Sequence, residues 1–438
     1  MLHELKYLLQ DLFFNKEDDH AKGRLVMLGS SVFSNIAAGL SGGVFYTGFL
    51  LGNDIHITDI GILTALPYLC SLLCIFSPLI LNHFKKRRWI LFAARFCYHF
   101  INIIGLTLLP MLVKDPKMKV LGFGIIVVLA NCFNYLFSTG YSAWHLNFIP
   151  DEVRSRYFPV SQCITNLVAG SMTIISSLAA DAMSGTPQQL TIITILRFVA
   201  YFFALMDLLV LALPKEYPYP ETKLTNPISM LKVPFSNKKY VICIVIYCLY
   251  SCCNNLTAGV LNAWLLTSIG ISYTHINIIN AVYFMFFLIF SPRWQVQIRT
   301  KGWLRTFSFA QIIMAPTFMI YLFLTPWNCL WLFTLLRLVQ HTIGTGHNVA
   351  ATNLPYLHMP EENRTSYIAA YQLMANLSLW GIITLGTGLH SVFENSAFVA
   401  SLPVDGVQLL MFITGLFSLG IGLFARHMCP YLEPQAET

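Results

Sequence analysis

The sequence predicts an all-α integral membrane protein of twelve transmembrane helices, arranged as two pseudo-symmetric six-helix bundles. Three observations predict it: an apolar composition, twelve apolar stretches of spanning length, and a repeat running the length of the chain. Of 438 residues, 56% are hydrophobic and 11% charged, where soluble domains carry about a quarter charged. A hydrocarbon layer ~30 Å thick needs ~20 apolar residues per helix. The stretches that qualify are 25–51, 58–82, 89–113, 119–149, 156–183 and 189–213, then 239–267, 274–298, 303–326, 327–357, 365–392 and 403–426.

The repeat relates the two sets of six. Pro150-Asp151-Glu152-Val153-Arg154 returns 210 positions later as Pro360-Glu361-Glu362-Asn363-Arg364. Ile75-Phe76-Ser77-Pro78 returns 214 positions later as Ile289-Phe290-Ser291-Pro292, and Asn35-Ile36-Ala37-Ala38-Gly39 returns 220 later as Asn255-Leu256-Thr257-Ala258-Gly259. Three matches in chain order, with offsets drifting as loop lengths would make them, indicate two related halves in parallel. In membrane proteins that architecture frames a solute site between the halves.

Residues 1–24 form a cytoplasmic N-terminal segment. Leu5, Leu8, Leu9, Leu12 and Phe13 recur there at helical spacing. This suits an amphipathic helix lying on the inner membrane surface, or equally a short packing helix. With acids as well as bases among its first residues and no clean apolar core, no cleavable signal peptide is expected there. The first bundle covers 25–213. A stretch rich in proline and charge, 214–238, reads as a cytoplasmic linker. The second bundle covers 239–426, and 427–438 is a cytoplasmic tail.

Basic residues sort by side. With the N-terminus inside, inner segments hold 21 of the 27 Lys and Arg, outer segments hold Lys114, Lys117 and Lys119, and Arg95, Arg197 and Arg337 lie within spans. The asymmetry puts both termini in the cytoplasm of a multi-pass protein of the cell membrane. It also explains the net charge of +7 without a nucleic-acid partner. The eleven cysteines lie in or beside spans without histidine partners at ligand spacing, so they read as buried thiols, with no metal and no cofactor.

Polar side chains are costly in lipid, so a polar stripe within a span must face protein or water. Span 4 has one: Asn131, Asn134/Tyr135, Ser138, Tyr141/Ser142 and His145 recur every three to four residues. Span 10 has another, in Arg337, His341, Thr345, Asn348 and Thr352, and an offset of 210 superposes the two. Asn35 of span 1 matches Asn255 of span 7, where Asn254, Tyr247 and Asn262 extend the stripe. These residues are the candidate cavity lining. Arg337 is the sharpest: an arginine inside a span needs a carboxylate, carbonyls, water or a substrate anion. Arg95 is expected to snorkel towards the basic loop, and Arg197 to be structural or interfacial. No mid-span acid stands out on the cavity helices, so His145, His341 and His347 are the candidates for proton coupling.

The six-plus-six arrangement, the basic loops after spans 2 and 8, and the inner linker resemble the major facilitator superfamily. The stretch Pro78-Leu79-Ile80-Leu81-Asn82-His83-Phe84-Lys85-Lys86-Arg87 keeps the basic end of that family's loop signature, with Asn82 where its acid would stand. The resemblance implies a monomeric secondary transporter whose spans 1, 4, 7 and 10 line the cavity. It also implies that Lys86, Arg87, Glu152, Arg154, Glu362 and Arg364 act at the cytoplasmic gate. The expected function is movement of a small polar solute, either a sugar or a sugar acid or other organic anion, with or without a co-transported proton or sodium ion. Multidrug efflux on the same fold is the alternative. A membrane enzyme would need clustered acids or metal ligands at one face, and a transport-dead sensor is the other rival; the expectation is not an enzyme.

Overall fold

The structure, a computed structural model, describes residues 9–15, 18, 20–81, 83, 84, 86–146, 148–213, 233–360 and 364–433. Most of the expected linker, Glu362 and the end of the tail lie outside these. The described elements are helical, with no strand among them. The first set is α1 (Ala21–Ser41), α2 (Gly43–Leu51), α3 (Ile57–Cys70), α4 (Ser77–Leu81), α5 (Arg88–His99), α6 (Leu106–Leu112), α7 (Pro116–Leu136), α8 (Ser138–Leu146), α9 (Asp151–Asp181) and α10 (Gln188–Leu211). The second set is α11 (Lys238–Asn255), α12 (Leu261–Thr267), α13 (Tyr273–Lys301), α14 (Trp303–Met319), α15 (Cys329–Asn353), α16 (Arg364–Glu394), α17 (Ala397–Ala400) and α18 (Gly406–Leu432).

Among the described residues, 10 helical stretches are long and apolar enough to cross a membrane. The two other expected spans are α11 with α12, and α15. Lys238, Lys239, Asn254 and Asn255 lower the hydropathy of α11, and a turn over 256–260 interrupts it. Arg337, Gln340, His341, His347 and Asn348 do the same for α15. Polarity, not shortness, sets α15 apart.

Several spans are broken, and each break frees backbone groups that lipid leaves unsatisfied. Gly42 separates α1 from α2, and a π-helical segment, Phe100–Gly105, joins α5 to α6. Arg197 meets both interruptions: it donates to the carbonyls of Ser41 (3.1 Å) and Asn102 (3.2 Å) and to Thr107 Oγ1 (2.8 Å). Its guanidinium also lies over the Phe49 ring, 4.6 Å from the centroid. Arg197 thus ties the two broken spans together, which favours the structural over the interfacial role its sequence context left open. The break after α11 is seated on Gly386, where an added Cβ would lie 1.8 Å from the Leu256 carbonyl oxygen.

Helix starts follow their caps. Asp115 accepts from Met118 N–H at 2.9 Å with Pro116 at the first turn, and Asp405 forms a capping box with Gln408. Gly302 turns α13 into α14 with φ +89°, and the Glu433 carboxylate accepts from the freed N–H groups of Trp303 (2.9 Å) and Leu304 (3.0 Å). A carboxylate on two orphan donors at a helix N-terminus stabilises by ~1 kcal/mol. Glu433→Ala is therefore expected to lower the thermal-unfolding midpoint, and Glu433→Gln to lower it less.

The chain forms two compact units, one of residues 1–54 and 73–224, the other of 55–72 and 225–438. The boundary differs from the expected bundles: the first part of span 2, α3, packs against α16 in the C-terminal unit. Gly61 allows it, because a Cβ there would lie 2.3 Å from Thr387 Oγ1. The N-terminal core gathers Leu12, Phe13, Met27, Leu91, Trp144, Phe148 and Tyr157; the C-terminal core gathers Cys243, Ile246, Cys253, Leu304, Phe307, Ala350, Ile421 and Cys429. All eleven cysteines are free.

Leu12 and Phe13 are buried within protein, so the described part of the N-terminal segment packs on its own unit. Arg24 fixes it by donating to Leu12 O (2.8 Å) and to Asp18 Oδ2 (2.5 Å). Burial pushes the Asp18 carboxyl up, but the hydrogen bond and charge of Arg24, together with the backbone N–H and charge of His20, outweigh it and hold the group below 3.8. A depressed carboxylate contributes stability above its unfolded value and loses it as pH falls through the folded one. Acidification below pH 3.8 is thus expected to release this segment to proteolysis, and Asp18→Asn to release it at neutral pH.

Candidate functional site

A cavity of about 280 Å³ opens within the C-terminal unit. Helix α15 supplies Arg337, Gln340, His341, Gly344, His347 and Asn348; α11 supplies Tyr250 and Asn254. Tyr283 of α13, Phe318 of α14 and Tyr321 form an aromatic wall, with Met314 of α14 beside it. Helical periodicity explains the α15 contribution: positions 337, 340, 341, 344, 347 and 348 fall on one face.

Arg337 is held by neutral partners. Its Nη1 donates to Gln340 Oε1 (3.3 Å) and its Nη2 to Asn280 Oδ1 (3.1 Å), while Nε has no hydrogen-bond partner. Gln340 is itself fixed, donating to Thr317 Oγ1 at 3.2 Å. Among the described residues no carboxylate lies within 4.0 Å of the guanidinium. The cavity therefore carries an uncompensated positive charge on a pre-set fork. Around it, His341 Nε2 donates to Ile279 O (2.9 Å), which assigns the proton to that nitrogen and leaves Nδ1 as an acceptor. Asn348 donates to the Tyr283 hydroxyl at 3.3 Å, and Asn254 to Tyr250 O at 3.1 Å. His347 is wedged between Tyr250 (4.2 Å between centroids) and Phe307 (5.1 Å).

The structure thus brings Asn254, Arg337, His341, His347 and Asn348 together. Thr345 is turned away and fully buried, spending its hydroxyl on His341 O at 2.9 Å. Asn255 bonds Ser251 O at 2.9 Å, and neither it nor Asn262 borders the cavity. Tyr250, Asn280, Tyr283, Tyr321 and Gln340 escaped the sequence reading. Gln340 stands one turn from Arg337, and Asn280 is a polar group in mid-span; both signals were available.

In the N-terminal unit several expected lining groups satisfy themselves. Asn35 donates to Ser31 O (2.7 Å), Asn131 to Val127 O (2.8 Å) and Ser138 to Tyr135 O (2.9 Å), all within a turn of their own chain. Asn134 is half-buried. Tyr141 donates to Leu91 O at 2.7 Å beneath the Arg95 guanidinium. Arg95 does not snorkel: its Nε and Nη2 both reach Asp207 Oδ2 at 2.7 Å. At the turns, Lys86 and Glu152 are exposed, Arg87 reaches Phe84 O (3.4 Å), and Arg154 closes its own turn on Ile149 O (3.1 Å). Arg364 opens α16.

No family model and no curated protein matches the sequence. Among solved structures, the chain matches a D-xylose–proton symporter with TM-score 0.69 and 15% identity, over 94% of this chain and 98% of that one. It matches the nucleoside transporter NupG with TM-score 0.64 and 14% identity, over 93% and 98%. A bacterial homologue of the iron transporter ferroportin, in an inward-facing state, matches with TM-score 0.66 and 13% identity, over 92% and 98%. At such identities the likeness is one of fold: the chain shares the helical fold of these transporter structures over nearly its whole length.

Proposed function

We propose that the chain is a secondary transporter that carries a small organic anion, a sugar acid being the type, by alternating access between its two related halves. The observation that carries this reading is Arg337: a cation on a cavity wall, positioned by two amide oxygens and lacking a carboxylate partner among the described residues. A carboxylate offers the two coplanar acceptors that a guanidinium fork binds best. Asn254, Asn348, the tyrosine hydroxyls and His341 Nδ1 suit the hydroxyl groups of the same solute. The volume is near the low end for small-molecule sites and favours a single ring over a drug-sized ligand. The solved structures of like fold include a nucleoside transporter and a xylose–proton symporter, which supports a hydroxylated ring as cargo. The basic-residue asymmetry favours both termini on the cytoplasmic side.

The test is a thermal-shift screen of the purified chain against matched pairs: glucuronate with glucose, galacturonate with galactose, and simple dicarboxylates. Stabilisation by the acid of a pair, and not by its neutral partner, is the expected result. Stabilisation by neutral sugars alone sinks the anionic reading and leaves a sugar carrier.

A further inference from the structure

A second buried charged cluster lies in the N-terminal unit, away from the cavity just described. Asp207 of α10 has 0% of its surface exposed. Its Oδ1 accepts from Ser30 of α1 at 2.5 Å, and its Oδ2 takes both Arg95 contacts from α5. Arg95 Nη2 also donates to Ser34 Oγ at 3.0 Å, and its guanidinium lies 5.3 Å from the Tyr141 ring centroid. One turn along α5, His99 is 6% exposed; its Nε2 lies 3.8 Å from Asp207 Oδ2 and has no hydrogen-bond partner. An ion pair, a buried carboxylate and an unused imidazole nitrogen aimed at it form more than a structural clamp requires.

We propose that Asp207, Arg95 and His99 form a proton-binding site, and, resting on the transporter reading, that its occupancy drives transport. One proton adds to His99 Nε2, and no other bond forms or breaks. The cluster then passes from net neutral to a single positive charge. The new N–H⁺ points at Asp207 Oδ2 and competes with Arg95 for it. Arg95 has a place to go, since Ser34 Oγ and the Tyr141 ring face already hold it. Protonation therefore loosens the ionic tie between α5 and α10, on which the Ser30 and Ser34 hydroxyls of α1 also converge. Buried charge within a spanning segment is costly and is retained where it has a task.

The groups around the site are few. From α1 it meets the hydroxyls of Ser30 and Ser34, and from α5 Arg95 and His99, with Tyr98 beside Arg95. From α8, Tyr141 and His145 stand within the field of Arg95 and Asp207. The π-helical Phe100–Gly105 carries no titratable side chain. In α2, Tyr46 faces Arg197, and in α9, Tyr157 reaches Arg24 O. His99 joins His145, His341 and His347 as a candidate proton carrier, and it alone of the four lies within 4.0 Å of a buried carboxylate among the described residues.

The experiment uses the full chain in phosphatidylcholine nanodiscs, with isotope-labelled histidine ring nitrogens followed by NMR from about pH 9 to about pH 5. Loss of one resonance in His99→Gln assigns it. The proposal expects that resonance to move from neutral imidazole to imidazolium in the wild type, and to remain neutral throughout in Asp207→Asn. A His99 signal that stays neutral in the wild type overturns the site. In proteoliposomes, with a uronate as probe, His99→Gln is expected to keep exchange but lose at least tenfold in accumulation driven by a pH gradient. Undiminished accumulation, or loss of exchange and accumulation together, overturns the coupling. Absence of uronate exchange by the wild type instead contradicts the substrate reading, and the NMR titration alone then judges the proton site.

Discussion

Arg337→Ala is expected to weaken binding of a carboxylated solute by about 100-fold while leaving the fold intact, with calorimetry on the purified protein as the readout. The magnitude follows from two charge-assisted hydrogen bonds lost from the cavity wall, ~3 kcal/mol in all. The fold survives because Arg337 has only neutral partners: without it, Gln340 keeps Thr317 as acceptor and Asn280 retains an amide able to rotate. Arg337→Lys keeps the charge but loses the planar fork, so it falls between wild type and alanine. Equal binding by all three proteins would remove Arg337 from the site.

The second large effect is on stability. Arg95→Ala leaves the Asp207 carboxylate buried without its cation, and one-sided removal of a buried pair costs ~3–5 kcal/mol. The double variant Arg95→Ala with Asp207→Asn removes the uncompensated charge and is expected to recover most of that loss. Denaturation followed by tryptophan fluorescence reads both, since Trp144 is buried in the same unit. If the double variant is no more stable than Arg95→Ala alone, the pair is not the clamp described.

The fold is legible in the sequence because membrane physics acts through composition and length, and because duplication wrote the pattern twice. Spans, halves and the polar character of α15 all follow from those two facts. The site is legible only in part. Periodicity identifies the polar face of a helix, but it does not say which groups on that face are already satisfied. Ser138, Asn131 and Thr345 spend their polar atoms on carbonyls of their own helix, a local option open to short side chains. Arg337 and His341 are too long to do so, and they reach into the cavity or across to α13. Pairings between distant spans escape sequence spacing altogether. Arg95 looked like a snorkelling residue because the basic loop is near in sequence, whereas Asp207 is 112 positions away and is placed by packing of α10 on α5 and α1.

The decisive measurement is exchange of radiolabelled uronate by the chain in proteoliposomes, wild type against Arg337→Ala. The anion site at Arg337 predicts saturable uptake accelerated by unlabelled uronate inside the vesicles and reduced to the empty-vesicle level by the substitution. Uptake that is absent in the wild type, or equally fast in the variant, contradicts it.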